Sequence, residues 1–227
     1  MIIITGITGG IGNYLFNAFS EKGEEVLGTY HLNKPEGSKY SSCKQLDITD
    51  TKEVEAFVKS IPATAKNITL INSAGISYNS FAHKSDAAEW AQVINVNLTG
   101  TFYLLRAILP LMREQNSGRI INLSSVVANT GVIGTSAYAA SKAGINGMIK
   151  SIALENAQKN ITINNINLGY FKVGMIDTVP KEMQEQIKNK IAKKEFGDPE
   201  NILNTIQYIR ETEYLTGSCI DLNGGLV

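Results

Sequence analysis

Several residue types and patterns are scarce in this chain, and each scarcity removes a class of protein. Lys and Arg number 21 and are balanced by 21 Asp and Glu. No basic cluster breaks that balance, so a nucleic-acid partner has no electrostatic support. The only cysteines are Cys43 and Cys219, and there are two histidines. These residues lack the spacing of a disulfide framework or a metal site, and they favour a reducing, cytoplasmic compartment.

Long hydrophobic runs are also absent. The opening MIIITG has no basic flank and its apolar run stops at Thr5, so we expect no signal peptide. No segment reaches the roughly 20 apolar residues that a membrane span requires. The 227 residues are 43% hydrophobic and 19% charged. This composition predicts one globular domain over residues 1–227 with one substantial core.

Short apolar runs separated by amphipathic stretches are abundant. Their apolar character predicts a parallel sheet covered by helices on both faces, which is a doubly wound, Rossmann-type α/β fold. Capping-box patterns at Asp50 and Asp86 mark two helix starts, and helical patterns cover about 87–115 and 137–158. The polar stretch 31–44 contains Pro and Gly, so we expect a loop there. The predicted strands are Ile2–Thr5, Glu25–Tyr30, Lys44–Ile48, Ile68–Asn72, Arg119–Leu123, Thr162–Asn167 and Ser218–Leu222.

A glycine-rich loop follows the first predicted strand. The stretch TGITGGIG, residues 5–12, contains Gly6, Gly10 and Gly12 and leads into a helical pattern. Glycines permit a tight turn and let backbone N–H groups approach a pyrophosphate, which the helix N-terminus also favours. The spacing departs from GxGxxG, and an ordinary strand-to-helix turn is the alternative. The loop's position in the first βαβ unit favours a dinucleotide.

The stretch SAYAASKAGINGM places Tyr138 and Lys142 four residues apart, on one face of a helix. A free phenol has a pKa of about 10. An ammonium about 5 Å away, at an effective dielectric of about 20, favours phenolate by roughly 3 kcal/mol, on the order of two pKa units. We therefore expect Lys142 to lower the pKa of Tyr138 and to hold a ribose hydroxyl. A surface tyrosine beside a solvated lysine is the alternative.

Polar residues end or interrupt two other apolar segments. Ser124 and Ser125 close the fifth predicted strand, at the edge where a parallel sheet borders its ligand crevice. They either bind a substrate oxygen or form a turn. Asn95 and Asn97 lie in an apolar helical segment, and buried amides need partners. Either a helix bend with bound water or an ordinary structural hydrogen bond accounts for these two residues.

Taken in order, these motifs resemble the short-chain dehydrogenases/reductases of the short, single-domain type. TGITGGIG is similar to the family's cofactor loop, LDIT to its adenine-side motif and NSAG to its NNAG motif. VNLTG, LSS and YAASK match the catalytic segments, and YLTGSCIDLNGG resembles the terminal stretch. The resemblance implies four catalytic residues, Asn97, Ser125, Tyr138 and Lys142. It implies cofactor contacts at Gly6, Thr8, Gly9, Gly10, Ile11, Gly12, Tyr30, His31, Asp47, Ile48, Asn72, Ala74, Gly75, Tyr138, Lys142 and Gly169.

The resemblance further implies hydride transfer between a nicotinamide and a carbonyl or secondary alcohol. Tyr138 would donate a proton to the alkoxide, and Ser125 would hold the substrate oxygen. Lys142 would bind ribose, and Asn97 would anchor a water in the proton relay. A catalytically idle dinucleotide sensor or scaffold is the alternative, which the complete tetrad disfavours. A nucleotide-sugar epimerase or dehydratase would have TGxxGxxG and a longer C-terminal domain.

The chain also departs from the family pattern. Leu168 stands in place of a proline, and Val173 in place of a threonine near the nicotinamide amide. The segment 175–202 corresponds to the family's substrate lid. The first departure affects the expected shape of the loop after the sixth predicted strand, and the second affects the expected contact with the nicotinamide amide.

Residues after the second predicted strand bear on cofactor choice. NAD-preferring relatives place an acid there, where it accepts from a ribose hydroxyl and repels a phosphate. Here Tyr30 and His31 occupy the place, with Lys34 in reach, which favours NADP(H) over NAD(H). Against this, Gly9 stands where many NADP-preferring relatives carry a basic residue. We expect Tyr30→Asp to shift selectivity toward NADH.

Within the family, SSVVANTG, SAYAASKAGINGM and FGDPENI resemble the 3-oxoacyl-acyl-carrier-protein reductase group. That group docks its acidic carrier through two basic residues near the site entrance. Lys159 keeps one of these charges and Asn116 loses the other, so we expect weakened carrier recognition. The expected substrate is a small or medium ketone, with a 3-oxoacyl thioester as the leading candidate. The two long helices predict a homo-oligomer, either a tetramer or a dimer.

Overall fold

A seven-stranded, entirely parallel sheet forms the centre of the molecule, with strand order β3-β2-β1-β4-β5-β6-β7. The computed structural model describes residues 1–174, 176 and 179–226. The strand order reverses between β1 and β4, as in a doubly wound fold. The predicted Rossmann-type α/β fold is confirmed. The strands are β1 Ile2–Thr5, β2 Val26–Tyr30, β3 Lys44–Gln45, β4 Thr69–Asn72, β5 Gly118–Ser125, β6 Ile161–Leu168 and β7 Cys219–Leu222.

Helices cover both faces of this sheet. Asp50 caps the second helix, because its Oδ1 accepts from the N–H groups of Lys52 at 2.7 Å and Glu53 at 3.1 Å. Asp86 caps the third in the same way, so both predicted helix starts are confirmed. The helices are α1 Gly10–Glu21, α2 Thr51–Lys59, α3 Ala87–Ile94, α4 Thr101–Gln115, α5 Val127–Thr130, α6 Ser136–Asn156, α7 Lys181–Lys190 and α8 Pro199–Glu211.

The core consists of two large apolar clusters, one on each face of the sheet. Successive residues of a strand point to opposite faces, so Leu70 joins the cluster under α4 and α6 while Ile71 joins the other. Phe16 of α1 and Ile206 of α8 complete that second cluster. Both faces are therefore buried, as the apolar strands predict.

Strand β3 is shorter than predicted. Among the strands that the structure describes, it pairs with β2 alone. The chain turns at Asp47, whose Oδ1 accepts from the backbone N–H of Thr49 at 2.8 Å. Such an Asx turn ends an extended segment. The loop before β3 contains a 3-10 turn at Ser38–Tyr40. Tyr40 stacks on Phe16 at 5.2 Å, so aromatic packing holds this crossover on the sheet.

The predicted helical stretch 87–115 contains a change of helix type. Asn95–Gly100 form a π-helical turn between α3 and α4, a feature often found at functional sites. In the lid segment 175–202, residues 175, 177 and 178 lie outside the described residues. Among the helices that the structure describes, none combines the length and apolar character needed to cross a membrane.

Candidate active site

The glycine loop lies against the segment that follows β4. Gly6 has φ +68°, and a Cβ there would lie 2.8 Å from the Cα of Ala74. The Thr5 hydroxyl oxygen accepts from the backbone N–H groups of Ser73 at 3.2 Å and Ala74 at 3.1 Å. Gly6 is thus required both by its left-handed backbone and by this close approach. The contacts bring two predicted cofactor segments together.

The first turn of α1 is suited to an anion. The residue before the helix is Gly9, which has no side chain to cap the first N–H groups. Those groups and the helix dipole therefore favour a phosphate. Thr8 and Gly9 are exposed, and Gly12 packs against the carbonyl oxygen of Gly6. A Cβ at Gly12 would collide with this oxygen, so the tight helix–strand packing needs glycine.

Asn97 lies in the π-helical turn and is fully buried. Its Oδ1 accepts from the N–H of Ile76 at 2.8 Å. Its Nδ2 donates to the carbonyl oxygen of Ile76 at 2.9 Å and to Oγ of Ser141 at 3.1 Å. Structural hydrogen bonds therefore satisfy this amide. Its implied role in anchoring a water stays a prediction.

Ser125, Tyr138 and Lys142 line one cavity of about 170 Å³ together with residues of the glycine loop and Gly169. The Nζ of Lys142 donates to the carbonyl oxygen of Leu123 at 2.7 Å and lies 5.5 Å from the centroid of the Tyr138 ring. The Ser125 side chain lies close enough to the Tyr138 phenol to act on its pKa by hydrogen bonding. The strand end and the helix thus bring the predicted hydroxyls and ammonium together.

Asn97 lies behind Gly75 in this cavity wall. A Cβ at Gly75 would lie 3.2 Å from Oδ1 of Asn97 and 3.8 Å from Nζ of Lys142. Glycine at this position therefore lets the backbone pass close to two of the four predicted catalytic residues. The tetrad is assembled from three segments, namely the π-helical turn, the end of β5 and α6.

The predicted lowering of the Tyr138 pKa is wrong for this structure. Burial raises the pKa of Tyr138 to about 12, although the hydrogen bond with Ser125 opposes the shift. Burial also lowers the pKa of Lys142 to about 8, which reduces its charge near neutral pH. The expectation omitted the burial of both groups, which favours the neutral form of each. The phenol is therefore protonated near neutral pH.

At the predicted adenosine end of the site, the side chains of His31 and Asp47 lie close together. His31 Nε2 lies 3.5 Å from Asp47 Oδ2, and His31 is half-exposed. Burial raises the pKa of Asp47, but hydrogen bonds from Thr49 and the nearby His31 outweigh it, so the pKa is lowered overall. The side chain of Tyr30 is instead buried in the apolar cluster around Tyr40. Of the two predicted residues after β2, His31 alone presents its side chain to this surface.

Ile48 and Asn72 serve packing in this structure. Ile48 is buried against Gly100, where a Cβ would lie 2.8 Å from its Cγ1. Asn72 donates from Nδ2 to Oδ1 of Asn122 at 2.6 Å. Both side chains therefore support the predicted cofactor segments from inside the protein.

The sequence patterns did not identify three residues that line or support the cavity. Leu123 acts through its carbonyl oxygen, for which a side-chain pattern carries no signal. Ser141 donates to the carbonyl oxygen of Tyr138 at 2.7 Å. Gly174 lines the cavity and packs on Gly10, where a Cβ would lie 2.5 Å from the Gly174 Cα. The one sequence signal for a role of Ser141 was the buried amide of Asn97, which needs hydrogen-bond partners and donates to the Ser141 hydroxyl.

The predicted carrier-docking positions lie away from the cavity. Lys159 ends the 3-10 turn before β6, and Asn116 follows α4 just before β5. The cavity lies at the opposite ends of these eight-residue strands, roughly 25 Å away at the usual rise per residue. The expectation that these positions lie near the site entrance therefore does not hold within one chain.

The depressed pKa of Lys142 predicts a pH dependence of stability. Between about pH 8 and 10.5 the unfolded chain holds a proton that folded Lys142 has released. The free energy of unfolding therefore rises with pH across this window. In Lys142→Met this rise should be smaller than in the wild type, as measured by urea denaturation at several pH values. Lys150→Met, at an exposed lysine of the same helix, should keep the wild-type slope. An unaltered slope in Lys142→Met would contradict the depressed pKa.

Comparison with known proteins agrees with this geometry. The sequence profile of the family described as short chain dehydrogenase matches residues 1–184. A 3-oxoacyl-[acyl-carrier-protein] reductase of Staphylococcus aureus is 33% identical over 99% of this chain and 96% of the relative. One from Thermotoga maritima is 32% identical with the same coverage, as is nodulation protein G of Azospirillum brasilense. The chain therefore belongs to the short-chain dehydrogenase family and is an NAD(P)-dependent oxidoreductase.

Proposed function

We propose that this protein reduces a ketone with NADPH, and that a 3-oxoacyl thioester is the leading substrate. The observation that carries the proposal is the partly buried phenol of Tyr138, which lies beside Ser125 in a cavity shared with the glycine loop. The full-length similarity to 3-oxoacyl-[acyl-carrier-protein] reductases supports the choice of substrate class.

In the proposed reaction the nicotinamide supplies the hydride, and the protein positions the carbonyl and supplies a proton. The pKa of Tyr138, about 12, keeps the phenol protonated near neutral pH. An alkoxide is a much stronger base than a phenolate, so this proton would move readily to the nascent alcohol. The Ser125 hydroxyl would hold the same oxygen by a hydrogen bond.

Lys142 and the glycine loop would hold the cofactor. The ammonium of Lys142 lines the cavity and keeps donor capacity beyond its bond to Leu123. A ribose hydroxyl is an acceptor that suits this capacity. The N–H groups at the start of α1 would bind the pyrophosphate. Each of these contacts orients the cofactor without taking part in proton transfer.

The proposed preference for NADPH rests on His31. Its half-exposed imidazole follows β2, where a 2′-phosphate would meet it. The nearby carboxylate of Asp47 accepts from the backbone and hydroxyl of Thr49 at 2.8 and 2.7 Å. These bonds orient the carboxylate, whose Oδ2 faces His31 at 3.5 Å.

We also propose that the protein is a homo-oligomer, a tetramer or a dimer, in a reducing, cytoplasmic compartment. Phe102 of α4 and Leu154 of α6 are exposed apolar side chains on the two long helices. Burying them against another copy would be favourable. Cys43 and Cys219 are free thiols, which suits a reducing compartment.

Tyr138→Phe tests the proposed acid. The variant keeps the ring but loses its proton, so kcat for ketone reduction should fall by more than about 100-fold. The dissociation constant for NADPH should stay within about twofold. Tyr103→Phe, at a tyrosine of α4 outside the cavity, is the matched control and should keep wild-type kcat. Full turnover by Tyr138→Phe would rule out the proposed mechanism.

His31→Asp tests the cofactor preference, since Tyr30 is buried. A carboxylate there would repel a 2′-phosphate, so the ratio of kcat/KM for NADPH to that for NADH should fall at least about tenfold. His31→Asn, uncharged and of the same shape as Asp, should lower the ratio less. A wild-type preference for NADH, or a ratio that His31→Asp leaves unchanged, would refute the assignment.

The distance of Lys159 from the cavity and the neutral Asn116 predict weak recognition of a carrier protein. We expect kcat/KM for a 3-oxoacyl carrier protein to be within about 100-fold of that for the same acyl group on a small thiol, a difference below roughly 2.7 kcal/mol. Steady-state assays with both substrates measure this ratio. A larger preference for the carrier would show that docking is retained.

A further inference from the structure

A row of buried asparagines crosses the sheet directly beneath the cavity. Asn72 on β4, Asn122 on β5 and Asn165 on β6 are register neighbours, and all three are buried. Asn72 Nδ2 donates to Asn122 Oδ1 at 2.6 Å, and Asn122 Nδ2 to Asn165 Oδ1 at 2.8 Å. Asn165 Nδ2 then donates to Oδ1 of Asn146 on α6 at 2.8 Å. The row therefore joins three strands to one helix.

Stability alone does not account for this row. A hydrogen bond contributes only about 0.5–1.5 kcal/mol net, and replacing both partners by apolar groups of similar shape is nearly neutral. The row also leaves Oδ1 of Asn72 buried without a partner among the described residues, which is unfavourable. Directional hydrogen bonds define the spacing between the groups that they join, whereas apolar packing does not.

That spacing concerns the catalytic face of α6. Asn146 lies four residues after Lys142 and eight after Tyr138, so all three share one face of the helix. On the strand side, Asn122 is followed by Leu123, whose carbonyl oxygen accepts from Nζ of Lys142 at 2.7 Å. The lysine bond thus joins α6 directly to β5, and one helical turn away the row joins the same helix to β5 through Asn165 of β6.

We propose that Asn146, through Asn165 and Asn122, is a positioning residue that holds Lys142 against the Leu123 carbonyl and Tyr138 at the cavity. That Lys142 and Tyr138 act in ketone reduction rests on the proposed function. The position of Lys142 is independent of that function, and it can be measured without substrate or cofactor.

Asn146→Leu removes the oxygen that accepts from Asn165 and leaves a buried N–H without that partner. Lys142 should then detach from Leu123 more often and become more reactive. We expect its rate of reductive methylation, followed by peptide mass spectrometry on the cofactor-free protein, to rise at least about fivefold. Asn146→Asp keeps an oxygen in the same place and should keep the wild-type rate. If Asn146→Leu fails to fold, Asn146→Asp provides the test by itself. A methylation rate of Lys142 above the wild-type rate in Asn146→Asp would contradict the role of this oxygen.

Asn164→Val is the matched control. Asn164 is buried on β6 like its neighbour Asn165, but its bonds go to Leu215 at 2.7 Å and Ser218 at 3.1 Å, away from α6. This variant should lose stability without changing the methylation rate of Lys142. Equal rates in Asn146→Leu and the wild type, or an equal rise in Asn164→Val, would overturn the proposal.

A kinetic measurement separates this inference from the proposed function. For ketone reduction, Asn146→Leu should lower kcat about five- to twentyfold, with KM for the ketone within about twofold, while Asn164→Val keeps the wild-type kcat. A wild type that reduces no ketone would refute the proposed function, and the methylation rates would still decide the positioning role. An active wild type whose kcat survives in Asn146→Leu would refute that role.

Discussion

The bond between the buried ammonium of Lys142 and the carbonyl oxygen of Leu123 is the interaction on which the site depends. An ammonium inside a protein needs hydrogen-bond acceptors, because burial otherwise favours its neutral form. Leu123 supplies one at 2.7 Å and thereby joins α6 to the end of β5, two residues before Ser125. The helix then presents Tyr138 to the serine hydroxyl. A single buried charge thus defines how helix and strand meet, and burial shifts the pKa values of both ionisable groups.

Close backbone approach is the second constraint on the site. Gly6 and Gly75 each occupy a place where a Cβ would press on another segment, so the glycine loop, the chain after β4 and the π-helical turn converge. Asn97 then spans from that turn to Ile76 and Ser141. These contacts define the arrangement of the cavity wall, and groups held in place in this way favour catalysis by preorganisation.

Much of this arrangement was predictable from local patterns. Alternating apolar runs identified all seven strands, and acidic caps identified two helix starts, because both signals depend on neighbouring residues. The length of β3 was overestimated, since the Asx turn at Asp47 ends the strand despite an apolar pattern. Tyr30 was misplaced because aromatic residues of a distant loop and helix bury it. The pKa of Tyr138 was misjudged because burial depends on the whole fold.

The sequence by itself determined the parallel α/β architecture and the residue types of the site, because hydrophobic periodicity and motif spacing are local properties. Only the tertiary structure decided which atoms meet. The Leu123 carbonyl and the asparagine row from Asn72 to Asn146 gain their roles from strand register. The separation of Lys159 from the cavity follows from strand direction. Register and direction arise from pairing between distant segments, so neither can be read from the residues in isolation.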